Sequence, residues 1–280
     1  MFADIVNGLL FKGKQVIQEY ALTDAQPSSM YKSDENIHEQ ERDVAKYWNK
    51  ASEGICVRIA FLGLENQSKY GKRMPLRVIG YDGTAYRAQL LEDNCYPVIT
   101  LVLYFGNDRW GKNLSLYDVI AVPEVFRPFV NDYKINVFEI AHLPEEAIDY
   151  FHSDFKIVVD YFVHKRTNPD YRPLDPIAFK HVDEVLKMLA ALTHDDRYIE
   201  SLEGEGGKPK NMCEVLDRVE ARGEARGEAR GEARGKQLGA LEILASLVRD
   251  GILPLADAAR RANLSPAEFQ SRTASFVAKK

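Results

Sequence analysis

Cysteine is scarce in this 280-residue chain: Cys56, Cys95 and Cys213 stand far apart, their number is odd, and no Cys-x-x-Cys occurs. A disulfide framework and a structural zinc site are thereby disfavoured, and a reducing, cytoplasmic compartment fits. Cys56 lies in an apolar run and reads as a core residue. No apolar stretch approaches the roughly 20 residues that cross a bilayer, so a transmembrane segment is not expected. Met1 to Phe11 lacks the basic start and cleavage motif of a signal peptide. The chain has no excess of positive charge; its net charge of −5 argues against a broadly basic nucleic-acid coat and leaves room for a local basic groove. Several catalytic signatures are missing. The six histidines never fall at His-x-x-x-His spacing, no Gly-x-Ser-x-Gly elbow occurs, and no Gly-x-Gly-x-x-Gly follows a strand. The Gly-Gly-Lys near residue 207 is no phosphate loop, because the earlier spaced Gly and the following Ser or Thr are absent.

What is present is enough apolar residue, 45%, for a substantial core. Phe2 to Leu10 has helical spacing. Residues 24 to 42 are polar and read as irregular, and 43 to 48 is open between a strand and a helical turn. The β-branched and aromatic run 55 to 65 is the clearest early strand. Met74 to Leu91 reads as a helix with Pro75 in its first turn. Pro97 to Phe105 is a second buried strand and Lys134 to Ile140 a shorter third. Glu145 to His164 and Asp175 to Leu192 read as amphipathic helices. Strands mixed with helices in this order predict an α/β or α+β domain over about residues 1 to 200. Trp110, after Gly106-Asn107-Asp108-Arg109, reads as a loop anchor rather than a base-stacking residue.

Residues 201 to 235 read as a linker that ends in four Glu-Ala-Arg-Gly repeats, Glu220 to Gly235. No Glu and Arg within the repeats stand three or four apart, and each repeat carries a Gly that costs roughly 1 kcal/mol in a helix. A solvated spacer, or a frayed helix stabilised by self-association, is expected there. An Arg-rich nucleic-acid contact is the weaker reading, since each Arg is matched by a Glu. Residues 236 to 280 regain order as a small helical tail. Its Leu238–Val248 stripe is followed by a second helix closed by Asn263 and by a Ser265-Pro266-Ala267-Glu268 capping box. The pattern is that of a helix-turn-helix, which many helical pairs share without touching DNA.

The candidate site is Gly63-Leu64-Glu65-Asn66-Gln67-Ser68. Glu65 and Gln67 are two apart on a strand and project from one face. With Asp43 from a neighbouring segment, Glu65 would form a carboxylate pair able to hold Mg2+ or Mn2+, a hard ion that keeps several waters. Gln67 would orient a water or bond a phosphate oxygen. Arg77 would bring positive charge, and Lys69, Lys72 and Arg73 would meet backbone phosphates. The plainer reading is that Glu65 ends a strand in solvent and Asp43 pairs with Arg42 or Lys46.

These stretches, taken in order, resemble the Rpn family of recombination-promoting nucleases, also labelled "putative transposases", within the PD-(D/E)XK nuclease superfamily. The resemblance rests on Phe2-Ala3-Asp4 through Gly13-Lys14-Gln15-Val16-Ile17, Arg42-Asp43-Val44, Gly63 to Ser68, Met74-Pro75-Leu76-Arg77 with Tyr81-Asp82, and Pro97 to Gly106. The helix at Met212-Cys213, the charged repeats and the helical end are similar too. The resemblance implies a restriction-endonuclease-like α/β core, a central mixed sheet flanked by helices, and magnesium-dependent cleavage of DNA. Asp43 takes the Asp position, Glu65 the acidic position and Gln67 the final position, where a Lys usually stands. Asp4 matches an upstream acid of the first helix, and Arg77 and Tyr81 the helix after the site. The partner implied is DNA, with a homo-oligomer formed through the tail as a further expectation. The alternative is a transposon-derived DNA-binding or assembly protein that retains the fold without catalysis.

Overall fold

The structure is a computed structural model that describes residues 1–26, 28–33, 36–41, 43–52, 55–173, 177–203 and 207–277. It divides into two compact units, Met1–Leu216 and Asp217–Lys280. In the first, helix α1 (Phe2–Phe11) precedes strands β1 (Leu22–Asp24), β2 (Ser28–Ser33), β3 (Asn36–Glu41), β4 (Val44–Ser52) and β5 (Ile55–Gln67). Helix α2 (Met74–Ala88) connects β5 to β6 (Val98–Tyr104), and a long loop leads on to β7 (Asn136–Glu139). Helices α3 (Phe155–Thr167), α4 (Val182–Thr193) and the short α5 (Arg197–Glu200) follow.

The main sheet has the order β1-β4-β5-β6-β7. Its β1/β4 and β4/β5 pairs are antiparallel, and β5/β6 and β6/β7 are parallel. A parallel pair needs a crossover, and α2 supplies it between β5 and β6. This mixed five-stranded sheet flanked by helices is the expected restriction-endonuclease-like α/β architecture. Alternation along β5 and β6 sends Glu65, Gln67, Thr100, Val102 and Tyr104 to one face. Val102 and Tyr104 pack there against Met74 and Val78 of α2, with Trp110 and Ile135 completing the cluster. Trp110 is 4% exposed and so is an anchor, as its position in the sequence suggested. Leu62, Leu64, Leu101 and Leu103, fully buried, belong to the opposite face. Gly8 of α1 meets the Phe151 ring so closely that a Cβ would lie 2.3 Å from it, which leaves room for no other residue.

Four sequence expectations change. The polar stretch 24–42 is not irregular: β2 and β3 form an antiparallel hairpin, whose side chains lie outside the described residues, as does that of Cys56. The helix expected over 145–164 is broken into a 3-10 turn, Glu145–Tyr150, and α3. The break has a cause in Asp4, whose carboxylate accepts from the backbone N–H groups of His152 and Ser153 and from Ser153 Oγ at 2.6–3.0 Å. Those contacts hold residues 152–153 in a turn that periodicity alone cannot show. The next helix begins at Val182 rather than at 175, after Asp154 accepts from the N–H groups of Lys180 and His181. Residues 174–176 lie outside the described residues.

The fourth change concerns the repeats. Helix α6 runs without a break from Met212 to Arg249. Its first turns are fixed by Met212 and Val215, which are buried, and its later turns by Leu241 and Ala245, also buried. Nucleation is the costly step of helix formation. A segment whose neighbours on both sides are already helical needs only propagation, and the Ala of each repeat supports that. In the second unit, α6 is followed by α7 (Leu255–Arg261) and α8 (Pro266–Val277). Leu241, Ala245, Ala258, Ala259 and Phe269 form its own small core. Asn263 adopts a left-handed φ of 55°, and Ser265 and Glu268 exchange the hydrogen bonds of a capping box.

Candidate active site

The register of β4 against β5 builds the site. Val44 pairs with Leu64, so the residue before one faces the residue after the other. Asp43 therefore enters β4 beside Glu65 and Asn66, and its Oδ2 accepts from the backbone N–H of Asn66 at 2.6 Å. Lys46, a partner considered from the sequence, instead pairs with Asp24, and Arg42 lies outside the described residues. The carboxylates differ in surroundings: Asp43 is exposed, whereas Glu65 is 2% exposed. The reading of Glu65 as a solvated strand end is thereby corrected; it ends the apolar part of β5 from inside.

Glu65 Oε1 accepts from Arg77 Nη2 at 2.6 Å and from Gln67 Nε2 at 3.0 Å. Arg77 stands on the first turn of α2, and the same Nη2 donates to Tyr81 Oη at 2.8 Å, one helical turn further on. Tyr81 is buried, 1% exposed, and holds Arg77 through that hydrogen bond. Burial works to lower the Arg77 pKa, but the Tyr81 hydrogen bond and the charges of Glu65 and Asp43 outweigh it and push the pKa up. A positive charge thus stands beside Glu65, brought in from the helix by Arg77. Gln67 Nε2 also donates to the Asn66 carbonyl, which fixes its amide beside Glu65.

Lys69, Lys72 and Arg73 are exposed on the turn between β5 and α2. Asn113 Nδ2 donates to the Lys72 carbonyl and ties that turn to the loop after β6. The Asp4 carboxylate accepts from the 152–153 turn. The residues that sequence reasoning missed are second partners. Ser68 Oγ lies 3.2 Å from His194 Nε2, at the left-handed end of α4. Buried Asp82 accepts from Thr100 Oγ1 at 2.6 Å and also from Tyr133, joining α2 to β6 and the long loop. The signal for Asp82 was its place beside Tyr81 on an otherwise amphipathic helix; His194 left none.

Two carboxylates thus stand on neighbouring strand ends, Asp43 in solvent and Glu65 buried against Arg77 and Gln67. Among the described residues no group of three or more His, Cys, Asp or Glu could enclose a metal. No helix among the described residues is long and apolar enough to cross a membrane.

Comparison with curated proteins and with solved structures gave no match. The family model described as "Putative transposase, YhgA-like" matches residues 30–188, a span that holds Asp43, Glu65, Gln67, Arg77 and Tyr81. That match takes in more than half of the chain and agrees with the Rpn resemblance read from the sequence: the protein belongs to the family described as "Putative transposase, YhgA-like".

Proposed function

We propose that the protein is a metal-dependent DNA endonuclease of the recombination-promoting type, with Asp43 and Glu65 as metal ligands. The observation that supports this reading best is the convergence of Asp43, Glu65, Gln67 and Arg77 where the start of β4, the end of β5 and the first turn of α2 meet, inside the family match. A bound Mg2+ would lower the pKa of a coordinated water and offset charge on the phosphate. The remaining work falls to the chain. Gln67, its amide nitrogen engaged with Glu65, offers its carbonyl oxygen to orient the attacking water. Arg77, kept charged by its neighbours, is available to a phosphate oxygen, and its hydrogen bond to Tyr81 limits how far it swings. Lys69, Lys72 and Arg73 hold the flanking backbone by charge. In the reaction, a water oxygen forms a bond to phosphorus as the bond to the leaving sugar oxygen breaks. The water's proton goes to solvent or a carboxylate, and the leaving oxygen takes up another.

The test is nicking of supercoiled plasmid with magnesium, with manganese and with chelator, beside Glu65→Ala. The expected result is metal-dependent nicking that falls by about 100-fold or more in the variant, the scale on which a principal electrostatic group acts. Nicking that resists chelator, or a fully active Glu65→Ala protein, overturns the reading. DNA binding that survives Glu65→Ala, with no nicking by the parent, supports the non-catalytic alternative, which the absence of a Lys at position 67 favours.

A further inference from the structure

The segments that leave β5 and β6 form one basic surface, wider than the turn at Lys69. The two strands are parallel and adjacent, so their C-terminal ends lie side by side. Gln67 pairs with Tyr104, and Tyr104 with Glu139 of β7. Paired residues of neighbouring strands share a face, so Gln67, Tyr104 and Glu139 form a row on the face that carries Glu65. At about 4.8 Å per strand, Glu139 stands about 10 Å across the sheet from Gln67.

Arg109 closes the far end of that row. Its Nη1 donates to Glu139 Oε2 at 2.8 Å, and the Trp110 N–H donates to the other carboxylate oxygen. The Arg109 side chain is 65% exposed, which leaves most of its N–H donors to solvent.

Trp110 ties the two segments together. Its ring meets Tyr70 and Tyr104 edge-on, each at 5.1 Å, and a Cβ at Gly71 would lie 3.5 Å from its Cη2. Asn113 Nδ2 donates to the Lys72 carbonyl. Lys69, next to Tyr70, and Lys72 are thereby brought beside the loop that carries Arg109 and Lys112; all four are exposed. Residues 68–73 and 105–113 hold five cations, Lys69, Lys72, Arg73, Arg109 and Lys112, and one acid, Asp108, in a chain of net charge −5. A basic surface of this kind on an acidic chain fits a polyanion.

Resting on the nuclease reading for the place of the reacting phosphate, we propose that Arg109 and Lys112 extend the DNA track. The backbone crosses the C-terminal ends of β5, β6 and β7. The two side chains hold phosphates about three nucleotides from the one at Arg77, since one strand rises about 3.4 Å per nucleotide. Glu139 is a positioning residue: it fixes one nitrogen of Arg109 and leaves the others for phosphate.

The test measures binding of the full chain to a fluorescein-labelled DNA duplex between about 50 and 200 mM salt. Chelator is present, which separates binding from cleavage. Arg109→Gln and Lys112→Gln are each expected to flatten the slope of log affinity against log salt by about 0.9, and the double variant by about 1.8, the release of counterions lost with each phosphate contact. The Lys112 side chain bonds no described residue, so a loss in that variant does not come from the fold. Lys50, exposed and paired with Val57, lies about 30 Å from Gln67 at the other end of β5, and Lys50→Gln is expected to leave the slope unchanged. A parental slope in either Arg109→Gln or Lys112→Gln overturns the track, as does an equal loss in Lys50→Gln or a parent that does not bind. Parent nicking with unflattened slopes removes the track alone. Flattened slopes with no nicking by the parent remove the nuclease reading alone.

Discussion

Two carboxylates buried in the first unit are held in different ways. Asp4, on α1, is met by backbone N–H groups of residues 152 and 153. Glu65, at the end of β5, is met at Oε1 by the side chains of Arg77 and Gln67. Backbone donors cannot move without undoing the turn that carries them. Side-chain donors can swing aside for another cation or for a phosphate. Both side chains are buried, so burial alone does not tell the two carboxylates apart; the origin of their donors does. Asp154, which accepts from the N–H groups of Lys180 and His181, falls with Asp4.

The contrast is sharpest when each carboxylate is removed. Glu65→Gln is expected to lower metal-dependent nicking by about 100-fold or more, as loss of a principal electrostatic group does. Its denaturant midpoint should shift less than that of Asp4→Ala, because Arg77 is 44% exposed and keeps its contact with water. Asp4→Ala strands the N–H groups of a turn in which His152 is exposed and Ser153 half-buried, and is expected to cost about 1–2 kcal/mol in denaturant unfolding, the lower part of the range for an unsatisfied group. The remaining folded fraction should nick at close to the parental rate. A large loss of specific activity in correctly folded Asp4→Ala protein would break the comparison and return Asp4 to the site.

Glu139 offers the intermediate case. Its carboxylate accepts both from a side chain, Arg109 Nη1 at 2.8 Å, and from the backbone N–H of Trp110. Burial works to raise its pKa, and these two donors outweigh it and hold the pKa below the usual glutamate range. A depressed folded-state pKa adds stability at neutral pH that is lost as pH falls through the folded value. Glu139→Gln is expected to lower the unfolding midpoint at neutral pH and to flatten its acid limb, read by thermal melts across the carboxylate range. The effect should be smaller than that of Asp4→Ala, since Glu139 is only half-buried. An unchanged acid limb would show that the Arg109 and Trp110 contacts carry no net stability.

The sequence revealed the strands more readily than the donors. The runs at 55–65 and 97–105 are apolar enough to be read directly, and they became β5 and β6 with small changes of boundary. Glu65 and Gln67 could be assigned to one face because strand alternation is local. Arg77 could be assigned to the helix after the strand, and its four-residue spacing to Tyr81 corresponds to a real hydrogen bond. The depth of Glu65 could not be read, because burial depends on α2 and β6 closing over the strand end. The break at 151–154 was hidden for a related reason: its cause, Asp4, lies nearly 150 residues away in the chain. The helix through the repeats was hidden by local propensity, which counts each Gly and takes no account of fixed ends.

Helix α6 carries one more consequence. A four-residue unit is slightly longer than a helical turn, so each added copy lengthens the rod by about 6 Å and rotates its far end by about 40°. Copy number thus becomes an inherited ruler. A gain or loss of whole units would change the length of the helix itself in fixed increments.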